Sequence, residues 1–479
     1  MNAMQGRFWT LAALAVLVTA CGGSGSGGDD DSGSQPPTSA ARTVFVTGAI
    51  TGFGSVLVNG VRYDTESAEV RIEDRPGSAL ELQVGEVVRM KAEIDGGGVA
   101  RARSIDQDHL IQGPVQAIDL ASGTITVSGQ AVTVDADTLF DDSIPTRSLA
   151  GIGVGDVIEI HGFASADGAR ATRIERAGAG ETEVEVTGLI TNLDAAALRF
   201  HVGALVVDYS GATLDDFGAA GLAAGQLVEV KGASFLPDGA LAATRVERED
   251  HDFDGRSGDG SEVEGLVTRF ASATDFDVAG QRITTNGSTR FEGGSAADLA
   301  LDVKVEVEGS LDATATLVAS KVAFKRRSSL RLAGPVESVD AAAGTFVALG
   351  ITVMVSPSTL REDHEGDDHF FGLDDLRPGD WVEVGGFAEV GTSRLVATRL
   401  ERDDAEDEVE MRGPATEVGP AGLKVFGIPV QLTSGTDYED EDQPIGADEF
   451  LARAPGSIVE ADGIWTGSAI VADEVEIER

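Results

Sequence analysis

The sequence predicts an all-β protein: six tandem, small, OB-like five-stranded barrels or sandwiches behind a signal peptide and a flexible tether. Three observations predict it. A unit of about seventy residues recurs six times, the mark of an array of like modules. Apolar and polar residues alternate over short stretches, the period of a strand with one wet face. Glycine-bearing turns fall at matching places in successive units.

The most regular stretch reads GDVIEIHG at 155–162, GQLVEVKG at 225–232, GDWVEVGG at 379–386 and GSIVEADG at 456–463. Fainter copies are GEVVRMKA at 85–92 and DVKVEVEG at 302–309. A short strand follows each: ARSID (102–106), ATRIE (171–175), ATRVE (243–247), ASKVA (319–323), ATRLE (397–401) and ADEVE (472–476). The predicted units are residues 43–109, 110–180, 181–257 (ending in an acidic linker), 258–328, 329–406 and 407–479.

The second unit shows the expected elements in order. A strand runs from Gly113 through Ile118, and a second spans Thr124 to Val127. Ser128-Gly129 turns the chain into a third at Ala131 to Val134. Glycine recurs at this turn as Gly60, Gly203, Gly280, Gly350 and Gly427. Asn59-Gly60 is the strongest dipeptide, because a type I′ turn needs positive φ at both central residues. A variable polar stretch with a Leu-bearing segment reads as a loop with one short helical turn. The fourth strand then carries valines on one side and charged residues on the other, as in Val228 and Val230 against Glu229 and Lys231. Asp167-Gly168 and Asp238-Gly239 turn into the fifth. Five strands with the insertion between the third and fourth match the order of an OB-type barrel, and a small open sandwich fits the same pattern.

The opening residues read as a targeting segment. Arg7 supplies a positive charge, and residues 8–19 form an apolar run too short to span a bilayer. The run ends in Val18-Thr19-Ala20-Cys21, which resembles the lipobox of bacterial lipoproteins. That resemblance implies cleavage after residue 20 and a lipid on Cys21. Cys21 is the single cysteine, so no thiol remains for a disulfide, a zinc–thiolate site or a nucleophile. Residues 21–42 are a tether rich in Gly, Ser and Asp. The expected location is the bacterial cell envelope, anchored by lipid. Gly22 after the cysteine favours the outer membrane, with the face displayed left open.

With 36 basic and 81 acidic residues the net charge is −45, which repels phosphate backbones and so argues against nucleic acid as a partner. Aromatics are 5% of the chain, and only Trp381 and Trp465 remain once Trp9 leaves with the signal. Rows of stacking rings are absent. No Gly-x-Ser-x-Gly, His-Glu-x-x-His or phosphate-loop motif occurs, and six degenerate copies of one module argue against a unique active site. The expectation is a non-catalytic binding or structural protein, with an envelope protein or polymer as partner and no dedicated cofactor beyond weak Ca²⁺; the alternative is a calcium-dependent adhesion or assembly factor that uses the acidic loops.

Three candidate sites stand out. Asp250, Asp252 and Asp254 alternate before Gly255, as in the start of a calcium loop, with Asp259 and Glu262 as further carboxylates. Glu262 falls one residue late for the closing ligand, and a solvated acidic linker fits the same residues. His364 and His369 sit in an acidic loop of the fifth unit, a possible transition-metal or binding spot that also fits a plain charged surface. Trp381 stands where other copies carry Val157, Leu227 and Ile458, and suits either packing or a partner.

The whole chain after residue 42 resembles a bacterial family of repeat domains with an OB-like barrel, found in tandem in secreted proteins and lipoproteins. The resemblance rests on the Gly-Asp-x-Val-Glu-Val-x-Gly strand, the x-Gly hairpin and the Ala-Thr-Arg-Val-Glu strand. Units one and four depart at Gly85-Glu86 and Asp302-Val303. The family implies no activity, so no catalytic residue is carried over. Each unit should be roughly 25–30 Å across. Strung out, the six would form a long spacer, hinged at the acidic stretch 249–260.

Overall fold

Alternation becomes strand wherever the sequence shows it. The computed structural model describes residues 41–478, apart from 167, 219–220, 250–255, 367–368 and 442. The lipobox, the tether and Asp250, Asp252 and Asp254 therefore lie outside the described residues. In repeat two the strands are Ile111–Asp119, Thr124–Val127, Gln130–Thr133, Val157–Ala164 and Ala169–Arg176. The first pairs with the second, the second with the third, the third with the fifth, the fifth with the fourth and the fourth with the first. The ring closes, so the barrel is the form adopted. Repeats one, four, five and six close the same way. In repeat three the last strand is split into Leu241–Ala242 and Arg245–Arg248.

Two local features differ from the sequence expectation. The variable stretch is not only loop. In every repeat it holds a short extra strand lying parallel to the fifth, such as Leu360–Asp363 beside Arg394–Asp403. And the glycine closing the fourth-strand motif is not a turn. The strand runs on through it, and a register shift falls at Gly162, Gly309, Gly386 and Gly463. A Cβ at Gly162 would lie 2.1 Å from the Arg170 carbonyl oxygen, and one at Gly386 would lie 2.3 Å from that of Val396. Glycine recurs there because a bulge brings two backbones together.

The repeats do not hang as a string. Ala40–Arg479 forms one compact unit. The first strands of repeats two and three pair antiparallel (Val186 with Ile111), as do those of repeats five and six (Leu332 with Met411). The first strand of repeat one pairs parallel with that of repeat four, from Val44–Gly260 to Thr47–Val263. Each pairing satisfies a backbone edge that a lone barrel would leave open. One apolar core runs through repeats two and three and another through five and six. At the expected hinge, Glu249 is ion-paired to Arg89 of repeat one.

The side of the fourth strand read as wet is in fact enclosed. Glu229 is 6% exposed and Glu185 of the same barrel 2%. Lys231 sits between them, with Nζ 2.7 Å from Glu229 and 3.2 Å from Glu185. It also reaches toward Glu73 of repeat one, at 3.8 Å. Charges at these motif positions therefore join repeats rather than meet solvent.

Candidate binding site between repeats one, two and five

The extra strand of repeat five, Leu360–Asp363, packs beside repeat one. Leu360 enters the core of repeat one, while Arg361, Glu362 and Asp363 line a cavity of about 220 Å³. The fifth strand of repeat two contributes Arg173, and the loop before the fourth strand of repeat one contributes Gln83 and Val84. His364, His369 and Phe53 complete much of the wall, and Asp142, 72% exposed, stands at its open side.

Arg173 joins the three repeats. Its side chain is 1% exposed. It donates to Asp141 Oδ2 at 2.9 Å, to Glu362 Oε1 at 2.8 Å and to the Val84 carbonyl at 3.3 Å, and also to Gln83. Burial pushes the Glu362 carboxyl above its ordinary range, against the pull of Arg173. Asp363 takes two hydrogen bonds from Arg402, at 2.8 and 2.6 Å.

His364 is similarly occupied. Its Nδ1 lies 3.2 Å from Asp142, and its Nε2 lies 3.7 Å from Glu362 and 3.6 Å from Glu401. Burial alone would lower its pKa, but the nearby Glu401 and Glu362 carboxylates raise it. The Glu401 carboxyl is correspondingly held down to about 2: burial opposes this, and Arg399 and His364 outweigh it. His369 stacks on Phe53 with ring centroids 3.9 Å apart.

Arg361 is the exception. Among the described residues it has no carboxylate within ion-pair distance; its Nε and Nη2, like the Nε of Arg173 and the Nε2 of His364, are buried without a hydrogen-bond partner. Its guanidinium lies against Gly52, where a Cβ would come 2.6 Å from Nη2. Burial and then Arg62 hold it below its ordinary pKa. The cavity thus pairs its carboxylates with Arg173, Arg402 and His364, and leaves one cation over.

A second polar centre lies where repeats one, two and three meet. His109 Nδ1 is 2.9 Å from Glu73 and its Nε2 is 3.4 Å from Glu159. His161 Nε2 lies 3.1 Å from Glu175 and its Nδ1 lies 3.4 Å from Gln107. The two rings are 5.0 Å apart. The Glu175 carboxyl is brought down to about 2: burial works against this, and the His161 hydrogen bond and charge prevail. Of these carboxylate–imidazole pairs, His109–Glu159 joins repeat one to repeat two.

The residues singled out from sequence fall in different places. His364 and His369 share the cavity wall. The Asp259 carboxylate accepts from the Arg256 backbone N–H at 2.7 Å. Glu262 is inside the first strand of repeat four, 8% exposed, beside Glu306 and Glu308. Burial first, then those two carboxylates, push it up to about 8. Trp381 begins the fourth strand of repeat five, 7% exposed, and packs in the core shared with repeat six. Arg173 and Arg361 were not singled out. For Arg173 a signal existed: the basic residue of the Ala-Thr-Arg strand recurs at Arg245, Lys321 and Arg399. Arg245 likewise reaches Asp74 of repeat one, at 2.8 Å.

Comparison with known proteins bears on the repeat itself. No curated protein matches the chain. A solved structure entitled "drosophila Unr CSD456" is similar at 13% identity over 44% of this chain and 100% of that one, with a TM-score of 0.14. The family model described as "Domain of unknown function (DUF5666)" matches residues 45–106, 112–175, 187–247, 264–323, 333–401 and 412–476, one stretch inside each repeat. Those six matches span most of the chain, which therefore belongs to the DUF5666 family as a six-copy member.

Proposed function

We propose that the chain is a lipid-anchored, non-catalytic binding protein of the bacterial envelope, with the cavity between repeats one, two and five as its binding site. The observation that carries the binding reading is the cavity itself. Charged motif positions elsewhere join repeat to repeat, whereas here Arg361 has no ion-pair partner among the described residues. The anchor rests on Val18-Thr19-Ala20-Cys21 and the Gly/Ser-rich stretch behind it. The net charge of −45 favours a neutral or cationic envelope protein or polymer at the outer surface of the assembly and disfavours nucleic acid. The outer membrane is the proposed location.

Two experiments test this. Globomycin, which blocks lipoprotein signal peptidase, should retain the uncut form in cells. Normal processing in its presence would remove the anchor. Pull-down from detergent-solubilised envelopes with the wild-type chain, compared with a chain carrying Arg361→Met, should recover a ligand or partner that the variant loses. Identical recovery would remove the cavity as the binding site.

A further inference from the structure

The proposed binding site also indicates the chemistry of its occupant, and this inference rests on that reading. We propose that the cavity binds a small organic carboxylate, a monoanion, through the Arg361 guanidinium.

Three observations carry it. First, a buried cation without a partner is costly, and proteins pair such groups or expose them. Among the described residues Arg361 has no carboxylate within ion-pair distance, and while its Nε and Nη2 are sealed against Gly52 its Nη1 is not, in a chain where acidic residues outnumber basic ones by more than two to one. A counter-ion from solution would satisfy it. Second, the chain makes room for the guanidinium. Gly52 has no side chain at the one place where a Cβ would lie 2.6 Å from Nη2. Third, the lining selects among anions. A guanidinium presents a planar fork of donors that matches carboxylate or phosphate. But Asp141, Asp142, Glu362 and Asp363 share the wall. A dianion such as phosphate would meet their combined repulsion in a partly dry space, where charges interact more strongly than in water. A monocarboxylate carries half that penalty and still accepts from Nη1, the nitrogen not sealed against Gly52. The stacked pair Phe53–His369 offers an apolar wall for its carbon body.

The test is titration of the full detergent-solubilised chain, at constant ionic strength, with formate, acetate, glycine and benzoate, and in parallel with inorganic phosphate and sulfate. Calorimetry and thermal melting are read together. At least one carboxylate should bind with one-to-one stoichiometry and raise the melting temperature. Arg361→Met should weaken that binding roughly tenfold or more, the loss of charge-assisted hydrogen bonds. Arg361→Met should also melt no lower than wild type without ligand, since it removes an unpaired charge; this separates lost binding from lost folding. Gly52→Ala, which pushes on the guanidinium, should weaken binding as well. Phosphate or sulfate binding with no carboxylate binding would overturn the ligand class. No binding by any anion, or binding unchanged in both variants, would overturn the site. The outcome is independent of the globomycin result, so a failed anchor and a failed ligand site are told apart.

Discussion

Arg173→Met removes a side chain shared by three repeats. The guanidinium is 1% exposed and leaves behind Asp141, Glu362, Gln83 and the Val84 carbonyl. Methionine keeps most of the apolar stem, so the loss is electrostatic rather than a cavity. Removing one partner of a buried ion pair costs about 3–5 kcal/mol, chiefly because the other charge stays buried. Here two carboxylates are stranded, and they differ. Asp141 is 25% exposed and can draw on water, whereas Glu362 is 16% exposed and faces Glu401. Glu362 would take up a proton, which limits the cost. We therefore expect a loss of about 3–5 kcal/mol, smaller at low pH, where Glu362 takes up a proton, and greater as pH rises and protonation becomes harder. Urea unfolding of the full chain measures it. Arg173→Met with Glu362→Gln should recover about 1 kcal/mol or more relative to Arg173→Met alone, because the stranded charge is gone. A loss below about 1 kcal/mol, the range of surface ion pairs, would refute the reasoning.

Other outcomes follow from the same geometry. Burial, then Glu410, holds the Glu460 carboxyl up to about 8, with Asp462, Glu410 and Glu478 facing it and Arg331 and Arg412 opposing. A raised carboxyl contributes stability that is present below the ordinary carboxylate range and lost as pH rises toward 8. Glu460→Gln should therefore gain melting temperature over wild type at pH 8.5 and not at pH 4.5; an equal gain at both would count against it. Gly386→Ala places a Cβ 2.3 Å from the Val396 carbonyl oxygen and should cost about 1–3 kcal/mol, while Gly446→Ala, with nothing within 4 Å, should be near neutral. Equal melting of the two variants would show that the bulge tolerates a side chain. Calcium is expected to bind weakly through the acidic stretch at 250–255, with Asp252→Ala reducing the calorimetric heat; no heat and no melting shift at about 5 mM Ca²⁺ would remove that site.

Much of the barrel is legible residue by residue. Asn59-Gly60 turns with φ of 52° and 78°, as its type I′ chemistry demands. Leu349-Gly350 and Phe426-Gly427 are poor turn dipeptides, yet they adopt 46°/71° and 48°/84° at the same place. Unit-to-unit alignment located them where local propensity alone would not. Leu349 is fully buried between repeats five and six, which offsets its strained backbone. The extra strand escaped because it is short and lies in the most variable stretch. The assembly escaped for a different reason. Glu229 and Lys231 look solvated because part of what encloses them, such as Glu73, belongs to another repeat. The same holds for the cavity. His364 and His369 announced themselves as rare residues in an acidic loop, but Arg173 and Arg361 take their meaning from neighbours far away in the chain.

The side-by-side alignment of repeats one and four bears on how the molecule is made. Two whole barrels intervene between these strands, so a nascent polypeptide emerging amino end first must wait for the fourth barrel before the first can seal its flank. Parallel strand pairing across so long a loop is slow to form. Until then that flank is an adhesive ribbon, open to neighbouring copies. Chains cut short after repeat three should therefore clump, while the finished molecule stays dispersed.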